Sequence, residues 1–238
     1  MKRALTLFLS TILASAAMTQ GGPGGRAQQP SILNAGAGFL YAPAVHKELG
    51  LSPAVVKKIQ DKLTAASKSM TNPPSRPNSQ SSEARRVQFT KQLEAMQKVQ
   101  NECLSLLTPA QKARLRQITI QQMGANSMLH PEVKKDLALN ATQEKKVMEL
   151  VQANFREMFP ARAPSPNASS KPEDRSKMLQ EMMKKQEAAK VKLEAQATKV
   201  LTPAQQAKWR AMKGKPFKMD MMGMMRSARP VGAPRRSG

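Results

Sequence analysis

The pentapeptide Leu-Thr-Pro-Ala-Gln occurs twice in this chain of 238 residues, at Leu107–Gln111 and at Leu201–Gln205. Thr is a favoured N-cap, Pro fits the first helical position without losing a hydrogen bond, and Gln at the third position completes a capping box. Two weaker relatives of the motif lie at Leu51–Val55 and Leu139–Gln143. Each of the four predicts the start of a helix. The polar residues that would cap these helices are Ser52, Thr108, Gln111, Asn140, Gln143, Thr202 and Gln205.

The four motifs belong to a longer internal repeat. Val45–Leu63 aligns with Val133–Val151 without a gap, and Leu107–Ile118 aligns in the same way with Leu201–Met212. Between these blocks, both copies carry a stretch rich in Ser, Pro and Asn, which is typical of a loop. The pattern indicates a tandem duplication in which each copy consists of a helix, a loop, a long helix, a capped turn and a short helix.

Apolar residues recur at helical spacing through both copies, and no segment of useful length alternates as a strand would. The spacing predicts helices at Pro53–Met70, Glu83–Leu106 and Glu173–Val200. On the two long helices the apolar residues advance in steps of three and four, as they do in a helical hairpin. We therefore predict an all-α fold of tandem helical-hairpin units with long antiparallel helices, the units lying at 44–124 and 129–213.

The remaining segments differ in composition from the repeats. Residues 1–16 read as a signal peptide, with Lys2 and Arg3 before an apolar run that ends in small residues. Residues 17–43 are predicted to be a disordered linker, and residues 214–238 a disordered, basic, Met-rich tail. No apolar run in the sequence reaches the roughly 20 residues that a membrane-spanning helix needs. The sequence therefore predicts an exported protein with no membrane span.

The chain is strongly basic, with 39 Lys and Arg residues against 16 Asp and Glu and a formal net charge of +23. Such a charge attracts acidic partners, and export makes nucleic acid the least expected of them. One Trp, one Tyr and six Phe provide little aromatic material for a thick core. The only cysteine, Cys103, has no partner for an intramolecular disulfide, and its place among the apolar residues of its helix predicts that it is buried.

Paired Leu-Thr-x-x-Gln motifs on an exported, basic, Met-rich and all-helical chain resemble those of the CpxP/Spy family of periplasmic chaperones. The likeness covers Ala44–Phe217 in two copies. It implies ATP-independent binding of unfolded or aggregation-prone envelope proteins in the periplasm, as part of a stress response. Members of that family carry two such motifs and form a cradle-shaped antiparallel homodimer, whereas this chain has four. We therefore expect either a monomer whose halves pair as an intrachain pseudo-dimer or a homodimer.

The resemblance also suggests where client proteins would bind. Flexible Met side chains adapt to varied apolar surfaces, and basic residues beside them attract acidic clients. The candidate client-binding residues combine these types along the long helices: Phe89, Lys91, Met96, Met178, Met182, Met183, Lys184 and Lys185. For Phe89 and Met96, packing within the helical hairpin is the simpler interpretation.

Two other functions fit parts of the sequence. Thioether ligands suit Cu(I), so the Met-rich tail predicts copper binding or buffering as an alternative. Its ligands would be Met219, Met221, Met222, Met224 and Met225. The charge alone would suit a structural polycation that binds acidic envelope polymers. His46 and His130 lie outside any zinc or nickel ligand spacing, and no nucleophile–base motif indicates an enzyme, so we expect no catalytic residues and no required cofactor.

Overall fold

The computed structural model describes residues 31–71, 82–158 and 172–219, and every regular element within them is helical. The predicted all-α class is confirmed. The α-helices are α1 (Ile32–Ala37), α2 (Pro43–Glu48), α3 (Pro53–Thr71), α4 (Ser82–Ser105), α5 (Pro109–Met123), α6 (Pro131–Leu137), α7 (Ala141–Met158), α8 (Pro172–Val200) and α9 (Pro203–Lys213). Two 3₁₀-helices, η1 (Gly38–Tyr41) and η2 (Gly124–Leu129), precede α2 and α6.

The three helices predicted from apolar spacing correspond to α3, α4 and α8, and none of their ends differs from the prediction by more than one residue. The predicted signal peptide lies outside the described residues. So do the two Ser/Pro/Asn-rich stretches, apart from the residues at their edges. The long helices begin and end where the sequence changes composition, as expected for amphipathic helices bounded by turn-forming residues.

The chain divides into two compact units. Unit 1 contains residues 1–119 and 215–238, and unit 2 contains residues 120–214. Each unit holds one copy of the repeat, but each copy is longer at its start than the aligned blocks of sequence indicated. Unit 1 begins its helical structure with α1 and η1, and unit 2 begins with the end of α5 and η2.

The described part of the predicted linker, residues 31–43, is helical rather than disordered. Ser31 caps α1 by accepting a hydrogen bond from the Leu33 amide at 3.1 Å, and Ile32 and Leu40 are fully buried. Close packing explains the difference: a Cβ added to Gly36 would collide with Thr119 Oγ1 of α5. The small residues that suggested a linker therefore permit a close approach between helices.

The two copies share an unusual backbone feature after their short helices. Gly50 follows α2 with a φ of 59°, and Ala138, its aligned residue, follows α6 with a φ of 52°. The left-handed conformation is readily adopted by Gly but costs Ala roughly 1 kcal/mol or more. Unit 2 therefore keeps the left-handed turn of the repeat with Ala138, although Gly adopts this conformation more readily.

Both cores are thin and lie between the paired helices of each unit. In unit 1 the core includes Ile59, Leu63, Leu107 and Leu115, and Cys103 is fully buried as a free thiol, as predicted. In unit 2 the place of Leu115 in the repeat is taken by Trp209, which is also fully buried.

The steps of three and four predicted for the long helices do not describe the buried face of α8. Met182, Gln186 and Gln196 are exposed, whereas Ala197 is buried together with Leu193. The buried stripe follows Leu193, Ala197 and Leu201, in steps of four. A rule that weights large apolar residues overlooks Ala197.

Candidate functional site

The two Leu-Thr-Pro-Ala-Gln motifs form complete capping boxes. The Thr108 Oγ1 accepts from the Gln111 amide at 3.3 Å, and the Gln111 Oε1 accepts from the Thr108 amide at 2.9 Å. Thr202 and Gln205 make the same two bonds, also at 3.3 and 2.9 Å. These bonds pair amides that the first turn of α5 and of α9 would otherwise leave unpaired. The predicted capping roles of all four residues are confirmed.

The weaker motifs differ from each other. Asn140 and Gln143 form a capping box, with Asn140 Oδ1 accepting from the Gln143 amide at 2.8 Å and Gln143 Oε1 accepting from the Asn140 amide at 3.1 Å. Ser52 caps α3 through a single longer bond from the Val55 amide, at 3.4 Å. Val55 stands where Gln143 stands in the other copy, so α3 lacks the second half of the box.

Each motif glutamine also contacts a distant turn of its own unit. The Gln111 Nε2 donates to the Leu49 carbonyl at 3.1 Å, and the Gln205 Nε2 donates to the Leu137 carbonyl at 3.2 Å. Leu49 and Leu137 are aligned residues at the ends of α2 and α6. Their carbonyls belong to the set that a helix end leaves without an intrahelical partner. The motif therefore ties the short helix of each copy to the helix that follows the capped turn.

Unit 2 adds a reciprocal pair of side-chain amides. The Gln143 Nε2 donates to the Gln205 Oε1 at 2.7 Å, and the Gln205 Nε2 donates to the Gln143 Oε1 at 3.1 Å. The Gln143 Nε2 further donates to the Val200 carbonyl at 3.1 Å. The two capping boxes of unit 2 are thus joined, which the sequence alone did not predict. Unit 1 has no counterpart because Val55 replaces the glutamine.

Large apolar side chains remain exposed on the α7–α8 hairpin of unit 2. The exposed fractions are 44% for Met148, 46% for Phe155, 46% for Met182 and 61% for Val191. Met148 and Phe155 are seven residues apart, so they lie on the same face of α7. Met148 and Phe155 therefore give one face of α7 two exposed apolar side chains, whereas Met182 and Val191, nine residues apart, lie on opposite faces of α8.

The predicted client-binding residues have different outcomes. Met182, Lys184 and Lys185 are exposed, whereas Met183 is half-buried. In unit 1, Lys91 is exposed and Met96 is half-buried in the hairpin. The side chains of Phe89 and Met178 lie outside what the structure describes. Four exposed apolar residues were missed, namely Val87, Met148, Phe155 and Val191, because helical spacing does not show how wide the buried stripe of a helix is.

The charges are distributed unevenly among the helices. On α7 three basic residues stand with three acidic ones: Lys145, Lys146 and Arg156 with Glu144, Glu149 and Glu157. Two of the acidic residues form ion pairs with lysines of other helices, Glu144 with Lys134 at 2.8 Å and Glu157 with Lys192 at 3.0 Å. By contrast, α5 and α9 carry no acidic residue at all. The helices that begin with the Leu-Thr-Pro-Ala-Gln motif therefore carry basic residues without acidic ones.

A polar cluster surrounds the buried Trp209 of unit 2. The Glu194 Oε1 accepts from the indole Nε1 at 2.7 Å and from the Lys213 Nζ at 2.9 Å, and the Lys213 ammonium lies 5.3 Å from the centre of the indole ring. These contacts satisfy the indole N–H, which a buried Trp requires. The cluster fixes the end of α9 against α8.

Neither histidine belongs to a metal site among the described residues, where no group of three His, Cys, Asp or Glu side chains converges. The buried His46 donates from Nε2 to the Leu40 carbonyl at 2.6 Å, so its ring serves the packing of η1 and α2. Of the five candidate copper ligands, Met219 is half-buried against the core of unit 1. The other four lie outside the described residues.

None of the described helices combines the length and the apolarity that crossing a membrane demands. Comparison of the chain with protein-family models, with curated proteins and with solved structures finds no match.

Proposed function

We propose that the protein is an ATP-independent periplasmic chaperone that binds unfolded or aggregation-prone envelope proteins. The observation that carries this proposal is the set of exposed apolar side chains on the α7–α8 hairpin. Adaptable side chains such as Met148 and Met182 suit a binder that accepts many partners, because thioethers fit varied apolar shapes. The likeness of the capped motifs to those of the CpxP/Spy family supports the same function, and the predicted signal peptide supports the location.

The hydrogen bonds of the motif explain how such a surface remains available. Burial of exposed apolar side chains is favourable, so a hairpin that exposes them tends to rearrange and cover them. Other interactions must therefore hold its two helices in place. The pair formed by Gln143 and Gln205 joins both helix starts at one end of the hairpin. We assign the motif residues to this scaffold role and the exposed apolar residues to client contact.

The charges of the helices suggest that different helices attract a client and contact it. Basic and acidic residues are equal in number on α7, so its contact with a client is mainly apolar. The helices α5 and α9 carry basic residues and no acidic ones, and they supply a long-range attraction for acidic proteins. We therefore expect moderate salt to slow client capture more than it weakens the complex. A polycation that binds acidic polymers would instead lose its complex as salt rises.

Replacing both Met148 and Phe155 by Ser tests the proposal. Each substitution removes up to about 1 kcal/mol of apolar contact with a client, which corresponds to about a fivefold loss of affinity per residue. We expect the variant to need several times more protein to suppress the aggregation of a denatured acidic client without ATP. Light scattering during dilution of the client from denaturant gives the measurement.

The matched control is Ala153→Ser on the exposed side of the same helix, which we expect to behave as the unchanged protein. Equal protection by the control and the double variant would refute the assignment of the surface. Absence of protection by the unchanged protein would refute the function, and the two alternatives would then be tested directly. Cu(I) affinity lost on removal of residues 220–238 would favour copper buffering, and salt-sensitive binding of an acidic polysaccharide would favour the polycation.

The proposal includes the state of association. A monomer whose two halves pair within the chain and a homodimer are both consistent with four motifs. Light scattering coupled to size-exclusion chromatography separates them by mass, and dilution shows whether a dimer is obligatory. An obligate dimer would remove the reason for expecting the halves to pair within one chain.

A further inference from the structure

A short segment without regular secondary structure follows α9 and belongs to unit 1. Gly214 ends α9 with a φ of 60° and a ψ of −154°, a conformation open to Gly that turns the chain away from the helix. Lys215–Met219, which we call the C-terminal strap, then continues without regular structure. The strap was predicted to be part of a disordered tail.

The strap contacts unit 1 through alternate residues. Phe217 and Met219 are half-buried and pack against the core of unit 1, whereas Pro216 and Lys218 are exposed. In an extended chain, side chains two residues apart lie on the same face. Two apolar side chains therefore enter the surface of unit 1 while the residue between them faces solvent.

A hydrogen bond to the backbone helps to fix the start of the strap. The Lys215 carbonyl accepts from the Arg114 Nη2 at 2.9 Å. The same guanidinium is oriented by two bonds to the Glu48 Oε1, from Nε at 2.9 Å and from Nη2 at 2.6 Å. Because Arg114 binds a main-chain carbonyl, this contact does not depend on which side chain stands at residue 215.

Comparison of the two copies shows that the repeat does not require a strap. Unit 2 ends at Gly214, and within its described residues no segment like the strap follows the last helix. In unit 1 the core already buries residues from α1 to α5, and the strap adds only half-buried side chains to it. The strap therefore lies on a surface that the repeat leaves accessible.

We infer that this surface of unit 1 is a binding site for extended segments of unfolded proteins that carry apolar side chains at alternate positions. The strap occupies the site within the chain, and a client segment displaces it. Arg114 would take a main-chain carbonyl of the client in place of the Lys215 carbonyl. This inference rests on the proposed function and specifies its client class as extended chain with an apolar residue at every second position.

Because the strap occupies the site, it should weaken the binding of a client or a peptide there. A tethered segment competes at high effective concentration, so a client or peptide binds with an affinity reduced by the fraction of molecules whose site is free. The half-buried Phe217 and Met219 and the hydrogen bond to the Lys215 carbonyl would help to keep most molecules closed. Releasing the strap should therefore tighten binding about five- to tenfold.

The test uses the full chain with Phe217→Ser and Met219→Ser, which removes both anchors of the strap. The control is Lys218→Ser, at the exposed position between them. The probe is a fluorescein-labelled peptide with the sequence of residues 214–220, and its binding is followed by fluorescence anisotropy. We expect the double variant to bind the peptide at least fivefold more tightly than the unchanged protein and the control do. A peptide with Ser at both apolar positions should not bind.

Equal peptide affinity for all three proteins, or no binding to the double variant, would overturn the inference. Rapid alkylation of Cys103 in the double variant would overturn it as well, because the strap would then be an integral part of the core. The failure of the proposed function has a different signature. If the peptide binds as expected but neither protein suppresses the aggregation of a client, the site exists and the chaperone function is wrong.

Discussion

At the scale of single residues, the glutamine of each Leu-Thr-Pro-Ala-Gln motif has two roles that involve different distances along the chain. Its Oε1 accepts from the N-cap amide three residues earlier, and its Nε2 donates to a helix end more than sixty residues away, as for Gln111 and Leu49. The first role could be predicted from sequence because capping depends on neighbouring residues. The second could not, because it requires the fold that brings α2 beside α5.

The reciprocal amide pair of unit 2 predicts a difference between equivalent substitutions. Gln205→Ala removes bonds to the Thr202 amide, to two carbonyls and to Gln143, so we expect a loss of about 2–3 kcal/mol in the free energy of unfolding of unit 2. Gln111→Ala removes fewer bonds and should cost unit 1 about 1–2 kcal/mol. Urea unfolding measures both, with Trp209 emission reporting on unit 2 and Cys103 alkylation on unit 1.

A double-mutant cycle isolates the amide pair itself. We expect a coupling between Gln143→Ala and Gln205→Ala of about 0.5–2 kcal/mol, since residues that share hydrogen bonds do not act additively. The exposed Gln152 on α7 provides the control, and Gln152→Ala should leave unfolding unchanged. Strict additivity of the two substitutions would show that the pair contributes nothing beyond the separate bonds.

At the scale of helices, apolar spacing and composition predicted long elements well and short ones poorly. The helices α3, α4 and α8 could be located because their amphipathic pattern extends over many turns. The short α1 and η1 were missed because their residues are small and mixed, and their helical state depends on packing around Gly36. The exposed face of α7 was missed for a related reason: spacing identifies a buried stripe without fixing its width.

The helical structure of residues 32–41 leads to a prediction that a linker would not. Leu40 in η1 is fully buried, so Leu40→Ala should reduce the free energy of unfolding of unit 1 by about 2–4 kcal/mol. The rate of Cys103 alkylation in increasing urea gives the measurement. The exposed Lys47 in α2 is the control, where Lys47→Ala should change stability by less than about 0.5 kcal/mol. An unchanged alkylation profile for the Leu40 variant would support the linker after all.

At the scale of the whole molecule, two copies of one repeat have acquired different interiors. Unit 1 contains the only Cys and the only Tyr of the chain, and unit 2 contains the only Trp. Burial raises the pKa of the Cys103 thiol, and burial together with the nearby Cys103 raises the pKa of Tyr41 to about 12. Unit 2 has neither group, so the two units should respond differently to alkaline pH.

The direction of that response follows from the pKa of each group in the folded and unfolded chain. The unfolded chain loses the protons of Cys103 and Tyr41 near their ordinary pKa values of 9.0 and 10.0, whereas folded unit 1 retains them to higher pH. The unfolded state then binds fewer protons, so the stability of unit 1 falls as pH rises from about 9 to about 12. Unit 2 lacks this contribution.

We therefore expect unit 1 to unfold before unit 2 as the pH of urea titrations is raised from about 8 to about 11. Far-ultraviolet circular dichroism follows the helices of both units, and Trp209 emission follows unit 2 alone, so the two transitions should separate. Cys103→Ala provides the control, because it removes the buried thiol and should bring the transitions closer together. Transitions that stay coincident across this range would mean that the two units unfold as one cooperative body and that the buried thiol and phenol do not determine the order.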